Sequence, residues 1–231
     1  MKNLKKSKKI IISICILIFF VAIIIIFSIN NNIEKKNLDD EKNFYEIQYL
    51  DEKIFSIYKY FSQNNIDWEQ MKIELNNIYS NWNSIIIELT NKQIKNTDLT
   101  NFGKILDEIF IAIENKNGDK LLGELSNIYS LLNIYAKACN LDEQFKNELN
   151  LKSQLLKAYS LINTNNWLEI NNTVNNAEKI YYNYLNNVDN AIKKNKKTNI
   201  IYISIKELEN SINLRNKEIF ITKLKIVLEK F

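Results

Sequence analysis

Apolar residues recur every three or four positions from residue 44 onward, which is the spacing of one face of an α-helix. The first two stripes are Phe44, Ile47, Leu50, Ile54, Ile57 and Phe61, then Met71, Leu75, Ile78, Trp82, Ile85 and Leu89. Further stripes fill Phe102–Ile113, Leu122–Cys139, Phe145–Ile162, Trp167–Val188, Ile201–Ile212 and Ile219–Phe231. No stretch alternates with period two over the length of a strand, so the pattern predicts an all-α domain.

Asparagine-rich segments divide these stripes into pairs. The segments are Asn64-Asn65, Asn115–Asn117, Asn165-Asn166 and Asn213–Asn216, about 50 residues apart. This spacing predicts about four antiparallel helical hairpins in tandem, because short connections join neighbouring, reversed helices. The expected architecture is an elongated helical bundle or a short α-solenoid. The four turns should then lie at one end, and the linkers near Asn91–Asn96, Asn140 and Lys193–Lys197 at the other.

Helix boundaries follow from side chains that cap helix ends. Thr97 is the expected N-cap of the third helix. Gly118 fits the C-terminal end of that helix, and Asp119 fits the N-cap of the fourth.

A short sequence match suggests that the hairpins are copies of one unit. Glu74–Ser80 reads ELNNIYS and Glu124–Ser130 reads ELSNIYS, six identities in seven at an offset of 50. Trp68 and Trp167 also each begin the second helix of a hairpin. Such self-similarity indicates duplication; an unrepeated helical bundle remains the alternative.

The N-terminal segment has the features of a membrane anchor. Residues 10–29 are apolar except for Ser13 and Ser28, and this run of 20 matches the ~20 residues that cross a bilayer core. Five lysines and no acid precede the run, which places the N-terminus in the cytoplasm. Cys15 lacks the small preceding residues of a lipoprotein site. A cleaved signal peptide is the alternative, although no small-residue cleavage site follows.

These features predict four regions: a cytoplasmic basic tail at 1–9, a transmembrane anchor at 10–29, a polar stalk at 30–41 and an extracytoplasmic helical domain at 42–231. The predicted location is a bacterial plasma membrane, spanned once, with the bilayer as a partner through residues 10–29.

Composition excludes several kinds of chemistry. The chain has no histidine and no proline, so the usual general base and transition-metal ligand are missing. Its three glycines form no phosphate-binding loop. Without the five lysines that precede the anchor, 26 basic residues face 27 acidic ones. The near-neutral balance gives no reason to expect nucleic-acid binding.

No residue is therefore assigned a catalytic, cofactor-binding or metal-binding role. The acidic residues Asp107, Glu108, Asp142, Glu143, Glu207 and Glu209 are interpreted as solvated or helix-terminal charges, since a di-metal bundle requires Glu-x-x-His. Cys139 is interpreted as a buried structural thiol.

Aromatic residues leave two interpretations open. Tyr45 and Tyr49 share a helix face, and Tyr79, Tyr129, Tyr181, Tyr182 and Tyr184 cluster in the second helices of hairpins. They either fill the core or line a binding groove. Trp68 and Trp167 are expected to be half-buried between the two helices of their own hairpins. The basic loop Lys193–Lys197 is interpreted as a solvated connection, with contact to anionic lipids or wall polymers as the alternative.

The expected function is a non-enzymatic binding, scaffolding or sensing module anchored at the outer membrane surface, with a protein or cell-wall polymer as its partner. Two alternatives remain open: a cell-envelope hydrolase or transferase that uses carboxylates alone, and a subunit of a membrane complex.

Overall fold

The computed structural model describes residues 44–90, 92, 94–187 and 196–231. The chain divides into two units, Met1–Lys42 and Asn43–Phe231, and every described residue belongs to the second. The predicted tail, anchor and stalk, and residues 193–195 of the basic loop, lie outside the described residues. Lys196 and Lys197 already belong to a helix, so the loop ends earlier than predicted.

All regular structure in the described ranges is helical. The helices are α1 at 44–62, α2 at Trp68–Thr90, α3 at Asn96–Glu114, α4 at Gly118–Ala138, α5 at Glu143–Ser160, α6 at Trp167–Asn187, α7 at Lys196–Ile212 and α8 at Lys217–Leu228. A short 3₁₀ helix, Ile162–Thr164, follows α5. The all-α prediction is confirmed for this part of the chain. None of the helices described is long and apolar enough to cross a membrane.

Asparagine and aspartate side chains start the second helix of every hairpin. The side-chain oxygens of Asp67, Asn117, Asn166 and Asn216 each accept a hydrogen bond from the backbone N–H three residues ahead, at 3.0–3.2 Å. Each bond satisfies an N–H group that lacks a partner within the helix.

Three predicted helix boundaries are wrong. Asn117 rather than Asp119 caps α4, and Gly118 is the first residue of that helix rather than the end of the previous one. Lys95 precedes α3 without a side-chain cap, and Thr97 lies inside the helix.

The second helices share one pattern of burial. Their N-caps are 50, 49 and 50 residues apart. The residues four, eight and eleven positions after the N-cap are fully buried in all four helices: Met71, Leu75 and Ile78; Leu121, Leu125 and Ile128; Ile170, Val174 and Ala177; Phe220, Leu224 and Val227. The four helices therefore present equivalent positions to the core.

Consecutive helices from α2 to α8 pack against each other, and α5 also contacts α8. The hydrogen bond from Asn163 to Asp119 joins the third turn to the second, with Nδ2–Oδ distances of 2.8 and 3.1 Å. At the other end, the Tyr135 hydroxyl donates to the Asp98 carbonyl at 3.0 Å, which joins the end of α4 to the start of α3. These two contacts lie near opposite ends of α4, and the placement of all four turns at one end stays a prediction.

Helix α1 is held by several other helices. The Lys152 ammonium of α5 lies 2.6 and 2.9 Å from the two carboxylate oxygens of Asp51. Both residues are buried. The Tyr129 hydroxyl of α4 donates to the Asp51 carbonyl at 3.2 Å, and Lys225 of α8 donates to the Ser62 carbonyl at 2.7 Å. This buried ion pair thus links α1 to α5 through two residues that are 101 positions apart in sequence.

Small side chains let α4 and α5 approach closely. The Ser126 hydroxyl donates to the Ser153 carbonyl, and the Ser153 hydroxyl donates to the Ser126 carbonyl, both at 2.9 Å. A Cβ added at Gly123 would lie 4.0 Å from the Ser160 side chain, which is an ordinary van der Waals contact distance. These serines satisfy each other in a buried interface, so their burial leaves no hydroxyl unpaired.

Because several tyrosines are buried, we expect the protein to lose stability at alkaline pH. Burial, with smaller contributions from nearby acidic groups, raises the pKa of Tyr58, Tyr129 and Tyr135 above the ordinary value of 10. The unfolded chain loses phenol protons at about pH 10, whereas the folded chain keeps them. The free energy of unfolding should therefore be insensitive to these groups below about pH 10 and fall as the pH rises further.

Urea denaturation between about pH 8 and pH 11 measures this effect. Tyr129→Phe removes one of the raised groups and should make the decline with pH shallower than in the wild type. An equally steep decline in the variant would contradict the assignment to Tyr129.

Candidate functional site

Most acidic groups singled out in the sequence have structural partners. Asp107 accepts a hydrogen bond from the Tyr79 hydroxyl at 2.7 Å, and Asp142 caps α5. Glu108, Glu143, Glu207 and Glu209 form ion pairs with Lys120, Lys146, Lys223 and Lys206, respectively. No group of three potential metal ligands occurs among the described residues. The structure does not bring these six acids together.

Cys139 is buried at the C-terminal end of α4, which confirms its interpretation as a buried thiol. Tyr129, Tyr181 and Tyr184 are likewise buried, in agreement with the core-filling interpretation. Tyr45 and Tyr182 are more than half exposed. The described aromatic residues therefore divide between core and surface, and Phe61, Trp68 and Trp167 line surface grooves.

Trp68 is half-buried against the first helix of its own hairpin, as predicted. Its ring meets the Phe61 ring edge to face, with centroids 6.2 Å apart and an interplanar angle of 72°. Phe61 also packs edge to face on Tyr159 at 6.0 Å. The pair fixes the indole at the turn while leaving part of it accessible.

Trp167 is also half-buried, as predicted, but its ring contact lies outside its own hairpin. Its ring packs edge to face on Phe220 of α8, with centroids 6.0 Å apart and an interplanar angle of 88°. It therefore connects the third hairpin to the fourth rather than joining α5 to α6 by a ring contact. The sequence contains no local sign of this pairing because the two residues lie in different hairpins.

A surface formed by the four turns, here called the turn face, contains two grooves. The first groove has a volume of about 540 Å³ and is lined by Phe61, Ile66, Trp68, Asn115, Lys116, Asn117, Gly118, Asp119 and Asn163. It combines residues from three turns. The groove is wide and largely open to solvent.

Gly118 shapes the floor of the first groove. A Cβ at this position would lie 2.7 Å from Cε2 and 2.9 Å from Cζ of Phe61. Only a residue without a side chain allows the Phe61 ring to lie this close to the start of α4. Gly118 thus leaves room for the Phe61 ring, which packs against Trp68.

The second groove has a volume of about 290 Å³ and is lined by Trp167, Leu168, Asn171, Ile212, Asn213 and Arg215. It lies between the third turn and the fourth. Leu168 is 72% exposed and Leu214, next to the lining residues, is 62% exposed. The turn face therefore carries accessible apolar side chains beside its polar grooves.

The two grooves have corresponding parts. Each contains the tryptophan that begins the second helix of a hairpin, Trp68 or Trp167. Each also contains a cationic residue directly before the N-cap of a later hairpin, Lys116 or Arg215. Both cationic residues have left-handed backbones, with φ of 51° and 47°. This conformation costs most residues ~1–2 kcal/mol, and it turns the chain sharply at the edge of the groove.

Sequence reasoning identified the tryptophans and the asparagine-rich turns but not the grooves. Two signals were available in the sequence. Trp68 and Gly118 are 50 residues apart, and Lys116 and Arg215 occupy matching positions relative to their N-caps. Their meaning depends on which turns become neighbours, and only the tertiary structure supplies that.

Comparison with protein-family models, curated proteins and solved structures finds no match to this chain.

Proposed function

We propose that this protein is a membrane-anchored, extracytoplasmic helical binding module that has no catalytic chemistry of its own and binds its partner through the turn face. The observation that carries the proposal is the convergence of four turns into two corresponding grooves, each beside a half-buried indole. Partly accessible aromatic residues in a polar surround are common at recognition sites.

The repeated hairpin gives a reason for the two grooves. Equivalent buried positions in α2, α4, α6 and α8, together with the ELxNIYS match, support duplication of one hairpin of about 50 residues. A short α-solenoid of four such units would present corresponding turns along one face. Insertions and substitutions on that face change binding without disturbing the shared core.

The anchor at residues 10–29 is part of the proposal. Its support is the apolar run of 20 residues and the five preceding lysines, and the positive-inside rule then places residues 42–231 outside the cytoplasm. A cleaved signal peptide would also export the helical unit but would release it from the membrane.

A subunit of a membrane complex is the second candidate. The observation that favours it is the exposure of Leu168 and Leu214 on the turn face, since accessible apolar groups mark protein contacts when they are contiguous.

Cysteine labelling tests the location of the helical unit. Asn101 is exposed near the linker end, whereas the native Cys139 is buried. Asn101→Cys should react with a membrane-impermeant maleimide in intact cells, and the wild-type protein provides the background. Labelling of the variant only after cell lysis would place the unit in the cytoplasm and contradict the proposal.

A further inference from the structure

We infer that the two grooves of the turn face bind one neutral, hydroxyl-rich sugar chain, an inference that rests on the proposed function and names its ligand. A sugar hydroxyl both donates and accepts hydrogen bonds, so a site for several hydroxyls needs donors and acceptors side by side. A sugar ring also has a face of C–H groups that packs on the electron-rich face of an aromatic ring.

The first groove supplies both kinds of polar group. The Asn163 amide donates to the Asp119 carboxylate at 2.8 and 3.1 Å, which holds two groove residues in fixed positions. The Asp119 carboxylate can accept further hydrogen bonds, and so can the amide oxygen of Asn163. The Asn117 oxygen accepts the Lys120 backbone N–H at 3.0 Å, which leaves its amide N–H groups as donors.

Charge in the first groove favours a neutral ligand. Lys116 contributes one positive charge and Asp119 one negative charge, so their effects on a charged ligand oppose each other. The Asp119 carboxylate would repel a strongly anionic polymer, and the Lys116 ammonium would repel a cationic one. Neutral hydroxyl groups can use both residues, because ammonium groups donate and carboxylates accept.

The second groove also places amide and cationic groups beside an aromatic ring, but its described lining residues include no carboxylate. Asn171 and Asn213 each offer an amide donor and acceptor, and Arg215 adds planar guanidinium donors. Trp167 supplies the aromatic surface, held by its edge-to-face contact with Phe220. The two grooves therefore recognise chemically similar units.

The grooves are close enough to bind one chain. Asn163 lines the first groove and Trp167 lines the second. They are four positions apart in the sequence, so their Cα atoms lie at most ~14 Å apart. A ligand with repeated units can occupy both grooves, and the second contact then becomes intramolecular. A polymer of similar sugars meets this requirement.

The test uses the full-length protein in nanodiscs, labelled with ¹⁵N at its tryptophan indoles. The probes are cellohexaose, fully N-acetylated chitohexaose and β-1,4-mannohexaose, with the corresponding disaccharides for comparison. At least one hexasaccharide should shift the Trp68 and Trp167 indole signals with a Kd of roughly 1 mM or tighter, and its disaccharide should bind at least about tenfold more weakly. Trp82, which is buried, should not shift.

Matched variants connect the binding to the grooves. Asn163→Ala and Asn171→Ala should each weaken hexasaccharide binding about fivefold or more, the loss expected for one or two hydrogen bonds. Asn101→Ala, an exposed asparagine at the other end of the helical unit, should bind like the wild type.

Two results would overturn the inference: no indole shift with any of the three hexasaccharides, or binding that Asn163→Ala and Asn171→Ala leave unchanged. Tighter, salt-sensitive binding of polygalacturonate at the same indoles would also overturn it, in favour of an anionic ligand. Failure here combined with successful labelling of Asn101→Cys in intact cells would reject the sugar ligand while leaving the proposed location intact.

Discussion

Replacing Lys152 with alanine should lower the free energy of unfolding by ~3–5 kcal/mol, the cost of leaving one member of a buried ion pair without its partner. The Asp51 carboxylate would remain buried with neither the ammonium at 2.6 Å nor water to replace it. The substitution would also remove an ammonium that lies 4.6 Å from the centre of the Phe55 ring and 5.5 Å from that of Tyr129. Urea denaturation of the variant measures the effect.

Two controls separate burial from charge in this experiment. Lys223→Ala breaks an exposed ion pair with Glu207 and should cost no more than ~1 kcal/mol. The double variant Asp51→Leu with Lys152→Met replaces both charges by apolar groups and should recover most of the lost stability. A loss at Lys152 no larger than that at Lys223 would show that the pair does not hold α1 against α5.

Replacing Trp82 with alanine should lower the free energy of unfolding by ~3–5 kcal/mol, the range for removal of a large core side chain. Trp82 is 7% exposed and stacks on Phe102, with ring centroids 4.1 Å apart and an interplanar angle of 21°. Tyr135 extends the stack with a centroid distance of 6.4 Å. The substitution would open a cavity shared by α2, α3 and α4.

Ile87→Ala is the matched control for Trp82, because Ile87 belongs to the same helix and is 65% exposed. Its effect should stay within about 0.5 kcal/mol, as for most surface changes. The melting temperatures of the two variants provide a second measurement. Equal shifts would mean that the stack at the linker end contributes little to the stability of the helical unit.

Helix periodicity was sufficient to predict the elements of this fold. The apolar stripes of α1 and α2 match the buried side chains Ile47, Leu50, Ile54 and Ile57, and Met71, Leu75 and Ile78. The prediction works because each helix buries one face, so burial repeats with the helical period. The absence of proline did not help to locate the helices, although it is consistent with their length.

Boundaries were less predictable because neighbouring residues compete for the same role. Asn117, Gly118 and Asp119 can all occur at a helix start or end, and the structure uses Asn117 as N-cap directly after Lys116, whose backbone is left-handed. Lysine has no intrinsic preference for that conformation. The packing of the hairpins therefore imposes the left-handed conformation on this turn, and the local sequence gives no sign of that packing.

Contacts between hairpins could not be predicted from the sequence. The pairing of Asp51 with Lys152 and of Trp167 with Phe220 depends on how the helices fold over one another. A lysine within an amphipathic helix ordinarily suggests a solvated position, because burial of an unpaired charge is costly. The grooves depend on the same long-range packing, so the sequence predicted the turns but not the grooves that they line.

The proposed function depends most directly on retention of the anchor, and the mass of the mature protein tests it. Protein purified from the membrane fraction should have a mass that includes residues 1–29, and it should resist extraction by alkaline carbonate. A soluble protein whose sequence begins near Asn30 would show that residues 1–29 are a cleaved signal and would contradict the membrane-anchored account.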